Sequence, residues 1–355
     1  MSGQRVLIYG AYGYTGELIA RRARERGLAP VLGGRRPQPL ESLADELELE
    51  SVAFQLGSRE IVERRLREVD LVLLCAGPFA RTFRPVVEAC LATGTHYLDI
   101  TGEIDVFESL WLRDEEARAA GVVLLPGVGF DVVPTDCLAV HLAGRLPDAT
   151  SLALGIDALG GVSRGTALTM LENIGRGGRV RLGGRLVEVP AAWKTRDLEL
   201  RGSTGMSRRK GVTIPWGDVS TAFRSTGIPD VEVYAAMSSA QRLATVAARW
   251  AGPAFARWPL RNLAQWRIRS RPPGPSEAVR QRGRGRIWGR VENTAGEARE
   301  SWLETPEGYA FTAMTAVAAV ERVLGGGVAP GFQTPGKAFG PDFVLEHEGV
   351  RRWDD

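Results

Sequence analysis

Lysine, cysteine and histidine are scarce in this chain of 355 residues: each occurs three times. Cys75, Cys90 and Cys137 stand apart in apolar runs, with no Cys-x-x-Cys. That excludes a disulfide-stapled scaffold and points to a reducing cytoplasm. His96, His141 and His347 are as scattered, so no metal site is expected. No tyrosine is followed four residues later by a lysine. The acid–base pair of short-chain dehydrogenases is therefore absent. Cys137 lies in an apolar helical pattern with Leu138, Val140 and Leu142, which argues for core and against a reactive thiolate. No charge-free apolar stretch reaches about 18 residues, so no membrane-spanning helix is expected. The net charge is only +3 and the basic residues are almost all arginine. With 44% apolar and 25% charged residues, the composition is that of an ordinary globular protein, long enough for two domains.

What the chain does have is glycine in one telling place. Val6-Leu7-Ile8-Tyr9 is a short apolar run that leads into Gly10, Gly13 and Gly16, and a helical pattern follows. Strand, tight turn and helix N-terminus in that order hold a dinucleotide. Gly10 allows the turn, Gly13 lets backbone approach the pyrophosphate, and Gly16 lets the helix pack on the strand. Tyr12, Tyr14 and Thr15 lie in the same loop. The first-turn N–H groups would face the phosphates.

A second absence names the dinucleotide. No acid occurs between Arg26 and Glu41, where an NAD site places a carboxylate on the ribose 2′-OH. Arg35 and Arg36 stand there instead. Guanidinium groups pair with a 2′-phosphate, which a carboxylate would repel, so the expected cofactor is NADP(H).

The first 130 residues alternate strand and helix, which predicts an α/β, doubly wound parallel sheet of Rossmann type over residues 1–131. Expected strands are Val6–Gly10, Ala29–Gly33, Val52–Gln55, Asp70–Leu74, Thr95–Ile100 and Val122–Leu125. Expected helices follow at Gly16–Arg26, Leu40–Leu47, Ser58–Val69, Pro85–Thr93 and from Thr101 to about Ala120. Ala76, Gly77 and Pro78 should pass under the nicotinamide half of the cofactor. From residue 132 strands, hairpins and a few helices predict an α+β substrate domain over 132–324. Its elements include a hairpin turning at Gly183-Gly184, a helix after Ser163, and an Ala-rich helix at Gly308–Leu324. The tail 325–355 is expected to pack back on the nucleotide domain.

Four strings together resemble the saccharopine dehydrogenase-like oxidoreductases, a group holding saccharopine reductases and trans-acting enoyl reductases. They are Gly10–Gly16, Cys75-Ala76-Gly77-Pro78-Phe79, Tyr97-Leu98-Asp99-Ile100-Thr101-Gly102-Glu103 and Gly127–Asp136. Ser163-Arg164-Gly165-Thr166, Gly177-Gly178 and Gly183-Gly184 are similar to that group's second domain. The resemblance is weak from about Met237 to Gly285. It implies an NAD(P)-binding domain, a substrate domain and a cleft between them, but no particular substrate.

Ligands in open α/β sheets sit beyond the carboxyl ends of the strands. Asp99, Glu103 and Asp131 are placed there by this reading, with Tyr97 nearby, and are the catalytic candidates. Asp99 and Asp131 could equally cap the helices that follow. Ser163, Arg164 and Thr166 begin a helix whose N–H groups could hold a substrate carboxylate or carbonyl. Lys337 could reach the cofactor or simply be solvated.

Residues 241–290 hold twelve arginines and one acid, Glu277. Trp250, Trp258 and Trp266 recur every eight residues among them. Arginine with tryptophan on short amphipathic helices reads as a peripheral membrane contact, an acyl-carrier face, or tryptophans packed on their own domain. No nucleic acid is expected. The resulting expectation is an NADPH-dependent reductase, cytoplasmic or at the inner face of the membrane. Its expected substrate is an apolar acyl or prenyl-like compound reduced at C=C. Imine reduction on an amino-acid-derived substrate, and a non-catalytic NADPH sensor or scaffold, stay open, as does a homodimer.

Overall fold

The structure is a computed structural model that describes residues 4–159, 161–173, 177–246 and 258–355. By internal contacts the chain divides into two units, Met1–Val133 with Tyr309–Phe339, and Pro134–Gly308 with Gly340–Asp355.

The first unit begins β1 (Val6–Tyr9), α1 (Tyr14–Glu25), β2 (Val31–Gly34), α2 (Pro37–Leu47), β3 (Ser51–Ala53) and α3 (Arg59–Leu66). It continues β4 (Leu71–Leu74), α4 (Phe79–Thr93), β5 (His96–Asp99), α5 (Ile104–Trp111), α6 (Asp114–Ala119) and β6 (Val123–Leu125). The second unit supplies α7 (Val133–Arg145), β7 (Ser151–Leu159), α8 (Arg164–Asn173), β8 (Gly178–Leu182), β9 (Arg185–Val189), β10 (Thr195–Gly202) and β11 (Gly205–Thr213). Then come α9 (Asp218–Thr226), β12 (Asp230–Ala236), α10 (Trp258–Arg269), α11 (Glu277–Arg282), β13 (Arg284–Glu292) and β14 (Ala298–Pro306). The chain returns to the first unit with α12 (Gly308–Leu324), β15 (Gly331–Phe332) and α13 (Pro335–Phe339), and ends in the second with β16 (Arg351–Asp354).

The first sheet is parallel, in the order β15-β6-β5-β4-β1-β2-β3. β1 and β4 are buried at every residue, as strands covered on both faces must be. Alternate residues feed two cores. Ile8, Leu32, Leu73 and Leu98 pack with Ile19 of α1 and with Ala316, Val317 and Val320 of α12. Leu7, Tyr9, Val72 and Leu74 pack with Val86 and Val87 of α4 and Leu110 of α5. The doubly wound architecture is therefore as expected.

Helix α4 starts six residues earlier than Pro85, which lies inside it. Proline removes one intrahelical donor but does not forbid a helix that begins upstream. The helix expected after Thr101 is two, α5 and α6. The second sheet is mixed, ordered β10-β11-β12-β7-β13-β14-β16, with the β8–β9 hairpin attached at β12. That hairpin turns at Gly183-Gly184, both at positive φ (54° and 75°). The divisions differ from expectation at the C-terminal side. The helix at 308–324, expected with the substrate domain, packs in the first unit, where α12 covers one face of the sheet. Only part of the 325–355 tail joins the nucleotide unit, because residues 340–355 belong to the second unit, where β16 pairs with β14.

Candidate functional site

The carboxyl ends of β1, β4, β5 and β6 adjoin in the sheet and carry the glycine loop, residues 75–79, residues 100–103 and residues 126–131. Each is shaped by close backbone approach. Gly10 has φ +93°, and a Cβ there would lie 2.8 Å from the Ala76 nitrogen. A Cβ on Gly16 would lie 2.3 Å from the Gly10 oxygen. These are approaches that only glycine permits. Gly13 is the N-cap of α1 and no side chain caps that end. The N–H groups of Thr15 and Gly16 in the first turn lack intrahelical partners and are thus left for a ligand anion. Tyr14 opens α1 and meets Tyr309 edge-on, with ring centroids 5.1 Å apart; Thr15 follows it in the first turn.

Tyr12 connects this loop to the end of β2. Its ring lies over Gly34, where a Cβ would come within 2.4 Å of Cε1. Its hydroxyl accepts from the Arg35 N–H at 3.3 Å. The Arg36 guanidinium sits 4.9 Å from the ring centroid. Burial raises the Tyr12 phenol, but hydrogen bonds from Arg36 and from the Arg35 and Arg36 backbone outweigh it and hold it below its ordinary value. Both arginines are exposed. Most surface arginines of this unit pair with carboxylates, among them Arg5, Arg21, Arg24 and Arg26. Arg35 and Arg36 form no ion pair among the described residues. Two unneutralised guanidiniums on an aromatic shelf beside an uncapped helix fit a 2′-phosphorylated dinucleotide. The sequence reading gives Gly34 no role of its own; its signal is its position just before the two arginines.

The Tyr97–Glu103 string is a brace, and each residue has a task. The Tyr97 hydroxyl donates to Asp99 Oδ2 at 2.6 Å. Asp99 Oδ1 accepts the N–H of Thr101 and the N–H of Gly127, both at 2.9 Å. Thr101 Oγ1 accepts the Glu103 N–H at 3.0 Å. The Glu103 carboxylate accepts the N–H groups of Phe79 and Ala80 at 2.9 and 3.0 Å, where α4 begins after Pro78. Thr82 Oγ1 donates to the Ala76 carbonyl at 2.6 Å, closing the same turn. Tyr97 and Asp99 are fully buried (0% exposed). Their expected catalytic role is replaced by a holding one, because neither presents surface to a ligand. Asp99 is pushed up to about 6 by burial, against the pull of its three hydrogen bonds.

Asp131 is different. It ends the loop after β6, and no hydrogen-bond partner for its carboxyl occurs among the described residues. It lies against Gly102, where a Cβ would be 3.0 Å from Oδ2. Burial alone raises it to about 6, yet the residue keeps part of its surface exposed. Of the four candidates, Asp131 alone combines an uncommitted carboxyl with access to solvent. The nearby Cys75 thiol is raised far above its usual range by burial, and Cys137 likewise.

In the second unit, Ser163 caps α8 by accepting the Thr166 N–H at 3.1 Å. Its hydroxyl also meets Thr166 Oγ1 at 3.1 Å. Gly161-Val162-Ser163-Arg164-Gly165 has the spelling of a hydrolase nucleophile elbow, but Ser163 does not take the strained backbone of one. Among the described residues only Glu48 and Ala192 are non-glycine residues at positive φ. Arg164 donates from its backbone to the Pro273 carbonyl and from Nη1 to the Arg269 carbonyl. Lys337 lies exposed in α13. A cavity of about 200 Å³ lined by Arg5, Leu7, Glu50 and Ser51 opens at the other end of the first sheet, away from these loops. Of the tryptophans in 241–290, Trp250 lies outside the described residues, and Trp266 is exposed on α10. No described helix is long and apolar enough to cross a membrane.

Comparison with known proteins gives a consistent result. Residues 6–125 match the family described as saccharopine dehydrogenase NADP binding domain. A trans-acting enoyl reductase of Mycobacterium ulcerans is 30% identical over 148 residues, 39% of this chain and 35% of that protein. A putative trans-acting enoyl reductase of Mycobacterium tuberculosis is 30% identical over 183 residues, 47% of this chain and 43% of that one. A saccharopine dehydrogenase-like oxidoreductase of Bos taurus is 26% identical over 161 residues, 40% and 38% of the two chains. The matched stretches thus span well under half the length of these relatives. Apo saccharopine dehydrogenase (L-Glu forming) of Saccharomyces cerevisiae has the same fold, with TM-score 0.65 over 99% of this chain and 100% of that one, at 12% identity.

Proposed function

We propose that the protein is an NADPH-dependent reductase, on the premise that residues 6–125 match the saccharopine dehydrogenase NADP binding domain. In this reading the Gly10–Gly16 loop and the first turn of α1 hold the pyrophosphate. Arg35 and Arg36, with Tyr12 beneath, hold the 2′-phosphate. Ala76, Gly77 and Pro78 lie along the nicotinamide half. NADPH, when bound, supplies the hydride.

The observation that carries the reductase reading is Asp131. A reduction by hydride needs one proton. A carboxyl raised to about 6 by burial is matched to giving it near neutrality. Glu103, Asp99 and Tyr97 hold the loops that surround it. At the start of α8 in the second unit, where Ser163 and Thr166 cap the helix, the Arg164 guanidinium receives a carbonyl or carboxylate oxygen of the substrate. The substrate is an apolar acyl or prenyl-like compound reduced at C=C. Two relatives named as trans-acting enoyl reductases and the aromatic, arginine-rich stretch of the second unit support that class.

The test is a fluorescence titration of NADPH against NADH, with wild type and the Arg35→Glu/Arg36→Glu double variant. The reading expects a preference for NADPH that the variant loses. Screening of enoyl and imino substrates for NADPH oxidation then follows. Binding of neither cofactor sinks the proposal. Tight NADPH binding without turnover of any substrate leaves a sensor, and turnover of imines alone moves the chemistry to C=N.

A further inference from the structure

We propose that the exposed face of α10 docks the protein on an anionic lipid surface. No acidic residue occurs between Glu232 and Glu277, whereas seven arginines do. Within that stretch α10 shows two large apolar side chains to solvent, Leu263 (60% exposed) and Trp266 (66%). Three residues apart, they share one helix face. Arg267, Arg269 and Arg271 are exposed beside them. None of these three forms an ion pair among the described residues, although arginines elsewhere in this unit do, such as Arg145, Arg290 and Arg352.

The helix is anchored from behind. Nη1 of Arg164 on α8 donates to the Arg269 carbonyl at 3.1 Å, and its backbone N–H to the Pro273 carbonyl at 2.9 Å. Val162, just before α8, and Met170 on it are each 51% exposed and extend the apolar character of that neighbourhood. A fixed helix that presents Trp and Leu with unpaired arginines on either side is built for the headgroup–acyl boundary. The indole enters the interface and the guanidiniums meet lipid phosphates. This places the protein where a water-insoluble substrate would reside, but it does not depend on what reaction is catalysed.

Full-length protein is tested by flotation with phosphatidylcholine vesicles and with phosphatidylglycerol-rich ones. It is expected to float with the anionic vesicles, weakly with the zwitterionic ones, and less in high salt, which shortens the screening length. Arg267→Gln/Arg269→Gln should weaken partitioning about fivefold per arginine. Leu263→Ser/Trp266→Ser should abolish it. Because these side chains are on the surface, both variants should retain wild-type NADPH binding, which serves as the check on folding. No flotation of wild type, equal flotation with both vesicle types, or unchanged flotation of both variants overturns the proposal. So does binding of duplex DNA in place of vesicles.

Discussion

Replacing Asp131 by Asn separates its chemistry from its cost. Burial raises this carboxyl from the usual 3.8 to about 6 in the folded protein. A raised acid binds a proton more tightly folded than unfolded. It therefore adds stability that is fully present below about pH 4 and lost as pH climbs through 6. Taken whole, that rise equals about 3 kcal/mol. The residue is partly exposed, so solvent screens the cost, and we take roughly 1–2 kcal/mol as the working figure. Asparagine has no charge to desolvate. Asp131→Asn should match wild type near pH 4 and exceed it by about 1–2 kcal/mol near pH 8, read by urea unfolding at the two pH values. With an accepted substrate, the same variant should lose about 100-fold or more in turnover, the usual worth of a positioned proton donor, while NADPH binding is unchanged. A variant that is less stable than wild type at high pH would refute the reasoning. So would a gain that does not depend on pH, because it would not come from removing a desolvated charge.

Gly10→Ala must place a Cβ 2.8 Å from the Ala76 nitrogen at φ +93°, and should cost about 2–4 kcal/mol in urea unfolding with loss of NADPH binding. Tyr12→Ala removes the shelf under Arg36 and the acceptor of the Arg35 N–H; NADPH affinity should fall several-fold by fluorescence titration while NADH affinity hardly moves. Glu103→Ala strands two N–H groups at the start of α4, a loss of roughly 1–3 kcal/mol, and Glu103→Gln should recover part of it; equal stability of all three proteins would remove Glu103 from the brace.

The nucleotide end of the fold was legible because its constraints are written in residues that tolerate no substitute. Gly10 and Gly16 are dictated by contacts under 3 Å, and a run such as Leu71–Leu74 has few readings other than a covered strand. The acids were harder. Asp99, Glu103 and Asp131 all stand at strand ends, and only the direction of nearby N–H groups separates the two that hold loops from the one that is left over. Strands β10 and β11 escaped notice for another reason. In Thr195–Gly202 only alternate residues from Leu198 onward are buried, and none of the first six residues of Gly205–Thr213 is buried on either face, so their polar residues mask a period of two. The placement of Gly308–Leu324 was missed because an Ala-rich helix fits any sheet. Its contacts with Leu73 and Leu98, far away in sequence, decide the matter.

The return of α12 and β15 to the first sheet gives the chain an interleaved path. The nucleotide unit lacks one covering helix and one edge strand until residues 309–339 have been made. Those residues emerge from the ribosome only after nearly the whole second unit. β16 closes the second sheet later still, from residues 351–354. Neither unit is a continuous stretch that could be cut out, inherited or exchanged by itself. During synthesis the cofactor-binding half must wait, with the Ile8 and Leu98 side of its sheet covered only in part by α1 and α2, for a segment that follows most of the second unit in the chain. Chaperone dependence and sensitivity to late truncation would follow from this path rather than from weakness in either core.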